Sequence, residues 1–301
     1  MNKLFFLLPV ILFAACKPKT AKEPVEETRT SGTLKMIVDE SFSSVLADQI
    51  QVFRVDYPDT KFDLVQGSEN KILPAFLKDS VRAAVLSRVL TPDEEKAFAR
   101  RDVRISTSRF AIDGIALITG NDNPDSTITA DEVIALMKGN NPGGINLVFD
   151  NANSSTLRYF KELAQIKELP KSGIYTLSSN NDVIKYVAEH KNYIGIVGVN
   201  WLLNGQKDSF DFTTQVKILA VKNVRGKKGD DGFYKPAQKN LIDGVYPFLR
   251  NVYIIKAEVK NDLGTGFANW LVGQRGQLIV LKSGLGPNSM NSRDINIKSE
   301  N

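Results

Sequence analysis

Short apolar runs alternate with amphipathic stretches along the first third of the chain. Apolar runs of four to eight residues predict buried strands, and an apolar period of 3.6 residues predicts helices. A strand–helix–strand alternation indicates a mainly parallel sheet with helices on its faces, so the predicted fold class is α/β. The predicted strands are 33–38, 61–66 and 83–87, and the predicted helices are 43–55, 69–78 and 91–99.

A second series of the same kind follows a long extended segment at 110–118. Another extended segment, at 251–255, returns the chain towards the first series, and two closing helices follow it. The sequence therefore predicts two α/β lobes that are joined by two crossing strands, with residues 32–114 and 252–301 in lobe 1 and residues 115–251 in lobe 2. The second series has helices at 129–138, 154–163 and 181–189, strands at 145–149, 193–199 and 216–221, a basic loop at 222–231, and closing helices at 262–272 and 274–282.

Composition excludes several classes of function. Charged residues make up 24% of the 301 residues, and the formal net charge of +5 is spread without a dense basic block, so we expect no nucleic-acid binding. The chain has one histidine, His190, which excludes a multi-histidine metal site and leaves only that residue for a Ser-His-Asp triad. A single cysteine excludes an intramolecular disulfide.

That cysteine, Cys16, follows a short basic start, an apolar run at 4–13 and two alanines. This pattern resembles a bacterial lipoprotein signal, in which residues 1–15 are removed and Cys16 is acylated. The alternative is an ordinary signal peptide with a chance cysteine. Residues 16–31 are polar and charged, as is typical of a disordered tether. We expect a lipid-anchored protein of the cell envelope, in the periplasm or on the outer face of the cell membrane.

The helix that begins at Ser154 differs from its neighbours in its first turn. Capping boxes fill the starts of two other helices with glutamates, at Thr91–Glu94 and Thr129–Glu132. The Ser154 helix has Ser155 and Thr156 instead, and no acid before Glu162. A helix N-terminus offers free N–H groups and partial positive charge, so this one suits an anion. The alternative is a serine N-cap with no ligand.

Other strand-to-helix junctions also carry serine. In α/β sheets, ligands lie beyond the carboxyl ends of the strands, where these junctions gather. The loop 39–44 contains Ser41 and Phe42, the next junction is Gly67-Ser68, and a third is Ser87-Arg88. Serine is common at such junctions for capping alone.

Four ordered segments resemble one family. They are AIDGIALI at 111–118, NYIGIV at 192–197, YPFLRNVY at 246–253 and GQLIVLKSG at 276–284. The first is similar to the family's lobe-crossing strand and the third to its returning "YPLxRxxY" strand. The family is the phosphate-binding proteins of bacterial phosphate ABC importers, within the type II periplasmic-binding-protein superfamily, and the resemblance covers residues 33–290.

The resemblance implies a two-lobed, non-catalytic binding protein that closes on a small oxyanion, most simply inorganic phosphate. It implies an ABC permease as partner, a monomer, and neither cofactor nor metal. Asp39 and Glu40 stand where the family has small residues, and Asp150 stands where many members have arginine. These departures from the family pattern leave the ligand undecided between a protonated phosphate, another oxyanion and another kind of ligand. Different classes of function also stay open: an adhesion or sensing module on the same fold, or a serine-based hydrolase with a Ser–Lys pair. The ligand residues that the resemblance implies are Ser41, Phe42, Ser68, Ser87, Arg88, Ser154, Ser155 and Thr156.

Overall fold

The structure is a computed structural model, and it describes residues 26–78, 81–204, 212–258 and 262–288. Cys16, the predicted signal peptide and most of the predicted tether lie outside the described residues.

The first lobe begins with three parallel strands and the helices between them. Asp39 and Gly67 end the first two strands at the same edge of the sheet, because β1 pairs with β2 in parallel register from Gly32 to Asp39. The third strand pairs in parallel on the other side of β1. The elements are β1 (Gly32–Asp39), α1 (Ser43–Asp56), β2 (Thr60–Gly67), α2 (Glu69–Leu77), β3 (Ala83–Leu86) and α3 (Pro92–Ala99).

The second lobe repeats the alternation around a parallel core of three strands. The strand order there is β8-β6-β7, with both contacts parallel. The elements are β5 (Thr127–Thr129), α4 (Ala130–Met137), β6 (Asn146–Phe149), α5 (Ser155–Leu163), β7 (Ile174–Thr176), α6 (Asn180–Glu189), β8 (Tyr193–Gly198), α7 (Val199–Asn204), β9 (Val216–Ile218), β10 (Ala220–Lys222) and α8 (Gln238–Ile242).

Two long antiparallel strands connect these parts: β4 (Ile105–Gly120) and β11 (Leu249–Ala257). From Ile105 to Gly114, β4 pairs with β11, and from Ile115 onward it pairs with β8 and β9. The strand β4 changes its partner strand between Gly114 and Ile115, where the sequence predicts the boundary between the lobes. That boundary remains a prediction. The chain closes with α9 (Leu263–Val272), α10 (Gln274–Lys282) and β12 (Gly286–Pro287) against this region.

The predicted α/β class is confirmed. The predicted strand at 216–221 is instead two short strands, because the chain leaves β4 after Ile218 and continues alongside β5. The short elements β5, β7, α7, α8 and β12 were not predicted, since two to six residues are too few to show a period.

The main hydrophobic core extends through both lobes along the hinge strands. In the first lobe, Phe53 of α1 packs edge-on against Phe62, Phe267 and Trp270, with ring centroids 5.3–5.8 Å apart. Such pairs contribute about 0.5–1.5 kcal/mol each beyond their buried area. This packing fixes α1, and with it the loop that carries Ser41.

Candidate functional site: a buried polar cluster between the lobes

The start of α5 is open in the way that the sequence predicts. Ser154 is the N-cap, and its Oγ accepts a hydrogen bond from Leu157 N at 3.1 Å. The first turn contains no acidic residue, and Ser155 and Thr156 are buried. Both predicted capping boxes, by contrast, are present with their glutamates in place. No acidic residue of its own first turn therefore neutralises the partial positive charge of the α5 terminus.

The start of a short helix in the first lobe faces the start of α5. Residues 40–42 form a short 3-10 helix, in which Asp39 Oδ1 accepts from Ser41 N at 3.0 Å. Ser41 Oγ lies 3.5 Å from Ser155 Oγ, and the Ser41 carbonyl accepts from Asn200 Nδ2 at 2.8 Å. These contacts span 114 and 159 residues of sequence, and they bring the two lobes together at Ser41.

Arg250 supplies the positive charge of this cluster. It is 2% exposed on β11, and its Nε and Nη2 donate to Asp113 Oδ2 on β4 at 3.0 and 2.6 Å. Its Nη1 donates to Ser155 Oγ at 2.9 Å and Thr156 Oγ1 at 3.2 Å. The Phe42 ring lies 5.2 Å from the guanidinium carbon, so it too contacts this cation. Because both hydroxyls accept from Arg250, their O–H groups can donate to other acceptors, and Ser155 has the Asp39 carboxylate nearby as one such acceptor.

Three buried carboxylates surround this arginine. Burial raises the pKa of Asp39 to about 6, against the opposing effect of Arg250. Burial also raises the pKa of Asp113 and of Asp150. With all groups ionised, three carboxylates and one guanidinium give a formal charge of −2. Each carboxylate also has one buried oxygen without a hydrogen-bond partner among the described residues. The cluster therefore combines hydroxyl donors with acceptor oxygens.

Two asparagines, which follow β7 and β8, add further hydrogen-bond acceptor oxygens to the cluster. Asn180 begins α6 and donates to Asp150 Oδ2 at 3.5 Å. The side-chain oxygens of Asn180 and Asn200 are buried and have no partner within the described ranges. Gly198 keeps space beside Asn200, because a Cβ there would lie 2.8 Å from Asn200 Oδ1 and 3.6 Å from Arg250 Nη2.

Ser87 and Arg88 belong to a second network, which is centred on Glu69 and reaches α5 through Arg158. Ser87 Oγ accepts from Arg158 Nη2 at 3.0 Å, and Arg88 Nε donates to Glu69 Oε1 at 2.6 Å. Arg88 also forms a two-pronged ion pair with Glu94 at 2.7 and 2.8 Å. The structure thus brings Ser41, Phe42, Ser154, Ser155 and Thr156 together. Ser68 is the buried N-cap of α2 without a side-chain capping bond, beside this Glu69 network.

Arg250 and Asp113 were not among the predicted ligand residues. They lie 137 residues apart, and only the strand pairing reveals that they are direct neighbours. A signal was present, because both belong to segments that resemble the family, 111–118 and 246–253. The charged partner was assigned to Arg88, the arginine nearer to a serine junction.

The site offers no support for a histidine-based hydrolase. His190 is exposed, stacks on Tyr186 with ring centroids 3.9 Å apart, and contacts the Tyr186 carbonyl at 2.8 Å. Over the described ranges, no group of three or more His, Cys, Asp or Glu side chains is arranged to hold a metal ion. In the same part of the chain, no helix has the length and apolar character needed to span a bilayer.

A family model described as the PBP superfamily domain matches residues 23–275. The chain belongs to the PBP superfamily. Among curated relatives, the phosphate-binding protein PstS of Pseudomonas aeruginosa is 21% identical over 283 residues, covering 85% of this chain and 83% of PstS. PstS 2 of Streptococcus pneumoniae is 24% identical over 121 residues, or 40% of this chain and 39% of that protein.

The fold also matches several solved structures. A phosphate ABC transporter substrate-binding protein with bound phosphate from Clostridium perfringens has a TM-score of 0.68 at 20% identity, covering 86% of this chain and 100% of that chain. An ABC-type phosphate transport receptor from Vibrio cholerae gives 0.65 at 17% identity, with coverages of 85% and 100%. The resemblance inferred from the sequence and the type II fold are therefore confirmed. The expectation of a binding protein instead of an enzyme is also confirmed, because these relatives are named as binding proteins.

Proposed function

We propose that this PBP superfamily member is a lipid-anchored receptor that captures an oxyanion, most simply inorganic phosphate, between its lobes for import by an ABC permease. The proposal is supported mainly by two helix starts, one from each lobe, which lie next to each other. The loop at Ser41 faces the open end of α5, and Ser155 and Thr156 accept from Arg250 at 2.9 and 3.2 Å. Hydroxyl protons and helix N–H groups directed at one place suit an anion.

The surrounding carboxylates favour an oxyanion that carries a proton. A fully deprotonated anion would meet only repulsion from Asp39 and Asp150, both of which are buried. A protonated phosphate donates to an acceptor oxygen while its other oxygens accept from the hydroxyls. The proposed ligand contacts are therefore Ser41, the Phe42 backbone, Ser155 and Thr156. Arg250 is the proposed charged group in place of Arg88, which Glu69 and Glu94 engage. Ser68, Ser87 and Ser154 remain predictions from the resemblance.

Membrane attachment and transport rest on other grounds. Cys16 and its preceding apolar run support acylation, and names of relatives that include phosphate transport receptors support a permease as partner. A single acyl chain gives only marginal membrane binding. The several acyl chains of an acylated Cys16 would therefore hold the protein at the membrane. Cys16→Ser should release the protein from the membrane fraction, and equal partitioning of both forms would contradict this part of the proposal.

Calorimetric titration with phosphate, sulfate and molybdate tests the ligand. Thr156→Ala and Ser41→Ala should each weaken phosphate binding by about ten- to a hundredfold, because each removes a hydrogen bond to a charged group. Ser179→Ala is the matched control, since it removes the capping hydroxyl of α6, which accepts from Asp182 N at 3.2 Å. It should leave affinity unchanged. If none of the three anions binds the wild-type protein, the oxyanion assignment is wrong and the fold assignment stands.

A further inference from the structure

A second polar recess lies on the first lobe, away from the cluster around Arg250. It is a groove of about 840 Å³ between the hinge strands and α9. Its lining includes Arg82, Arg104, Ser106, Ser108 and Lys256. Lys256 is six residues beyond Arg250 on β11, which at about 3.3 Å per residue separates the two positions by about 20 Å. The groove is therefore a different site from the cleft between the lobes.

Lys256 is the unusual residue of this groove. It is 7% exposed, and it forms no hydrogen bond and no ion pair with any of the described residues. Its strand neighbour across the ladder is Ser106, so a hydroxyl residue, not a carboxylate, lies opposite. Most of this side chain is buried while its Nζ reaches the groove, since that atom is not among the fully buried, unpartnered polar atoms of the described residues, and lysine is seldom this buried without a partner.

The other charges of the groove lie at its exposed edge. Arg82 Nη1 is paired with Glu27 at 2.7 Å, and Arg104 is exposed. The carboxylates in the lining, Asp102 and Glu258, are also exposed, and neither forms an ion pair with Lys256. The groove's almost fully buried charged side chain, Lys256 at its strand floor, thus has no paired carboxylate among the described residues.

We propose that this groove binds a small molecule through one carboxylate or phosphate group placed on the Lys256 ammonium, independently of the ligand in the interlobe cleft. A volume of about 840 Å³ lies within the roughly 300–1,000 Å³ range of small-molecule pockets. The ligand's acidic group pairs with Lys256, and the hydroxyls of Ser106 and Ser108 lie along the same strand floor. At the edge, carboxylates offset the charges of Arg82 and Arg104, so the attraction for an anion depends on Lys256.

Titration of the isotope-labelled protein, followed by amide chemical shifts, separates the two sites. The probes are acetate and inorganic phosphate, with acetamide as the uncharged control. The amides of Ser106, Ser108 and Lys256 should shift with at least one anionic probe and not with acetamide. A shift with acetate alone identifies a carboxylate ligand, and a shift with phosphate alone identifies a phosphate ligand. Groove amides that stay in place with both anions would overturn the proposal.

Variants make the assignment specific. Lys256→Met, which keeps the side chain's length without its charge, should abolish the groove shifts while leaving phosphate-induced shifts at Ser41 and Ser155. Lys256→Arg should retain the groove shifts, and Thr156→Ala should reduce only those in the cleft. Because the two sets of amides are read separately, failure of the cleft proposal is distinguishable from failure of this one. Groove shifts that persist unchanged in Lys256→Met would overturn the assignment to Lys256.

Discussion

The charge on Asp39 should make the wild-type protein less stable at neutral pH than in mild acid. Asp39 is 0% exposed, and burial raises its pKa from the ordinary value of 3.8 to about 6. A folded-state pKa above the unfolded value means that the native state binds the proton more tightly. The resulting stabilisation is fully present below about pH 3.8 and is lost as the pH rises through about 6.

The size of the effect follows from the same two values. One pKa unit corresponds to about 1.4 kcal/mol, so the difference between 3.8 and about 6 corresponds to about 3 kcal/mol. Asp39→Asn mimics the protonated carboxyl and keeps a side-chain oxygen for Ser41 N. This variant should therefore be more stable than the wild type by up to about 3 kcal/mol at pH ~7.5, falling to about 0.5 kcal/mol at pH ~4.

Urea unfolding of both proteins at the two pH values measures this difference. The other buried carboxylates with raised pKa, Asp113 and Asp150, are common to both proteins, so their contributions largely cancel at each pH. Asp122→Asn is the control, because Asp122 is exposed in a turn and should change the free energy of unfolding by less than about 0.5 kcal/mol. An Asp39→Asn protein that is no more stable than the wild type at pH ~7.5 would refute the reasoning.

Three further substitutions test the network around the cleft. Arg88→Ala should change phosphate affinity less than about threefold while lowering stability by about 1–3 kcal/mol, because Arg88 bonds to the buried Glu69; calorimetry and thermal unfolding check this, and a large affinity loss would contradict it. Arg158→Ala removes a 3.2 Å contact from α5 to Glu69 of the other lobe, so X-ray scattering of the ligand-free protein should show a larger radius of gyration, whereas an unchanged radius would contradict an interlobe role. Gly198→Ala brings a Cβ within 2.8 Å of Asn200 Oδ1 and should weaken phosphate binding by about tenfold with little change in melting temperature; unaltered affinity would mean that Asn200 can move without cost.

Local features of the fold were predictable because their determinants are close in sequence. Thr91 and Glu94 are three residues apart, and the capping box that they form is present. The open start of α5 was likewise visible, since only the first turn had to be inspected for acids. Strand and helix periods gave the α/β class for the same reason. The capping box and the open helix start each depend on fewer than ten consecutive residues.

The electrostatics of the cleft depend on distances that the sequence does not contain. Asp39 and Asp150 were recognised as departures from the family pattern, but their burial and raised pKa values follow only from packing. Arg88 stands beside a serine junction, yet Glu69 and Glu94 engage it. A local pattern identifies a charged residue without identifying its partner, so the arginine of the cluster was missed.

The position of Arg250 links charge in the cleft to the motion of the lobes. Arg250 and Asp113 face each other on the two hinge strands, and their ion pair has a distance of 2.6 Å with both side chains almost fully buried. Breaking such a pair costs about 3–5 kcal/mol, so the guanidinium stays with the hinge when the lobes rotate. Ser155 and Thr156 belong to α5 of the second lobe and both bond to Arg250, whereas Ser41 belongs to the first lobe. In the proposed hinge motion, rotation of the lobes would therefore change the distance between Ser41 and Ser155, whose hydroxyl oxygens lie 3.5 Å apart here. The anion that we propose for the cleft would contact both lobes, so it would bind this arrangement better than one with the lobes apart, and that difference in affinity would favour closure.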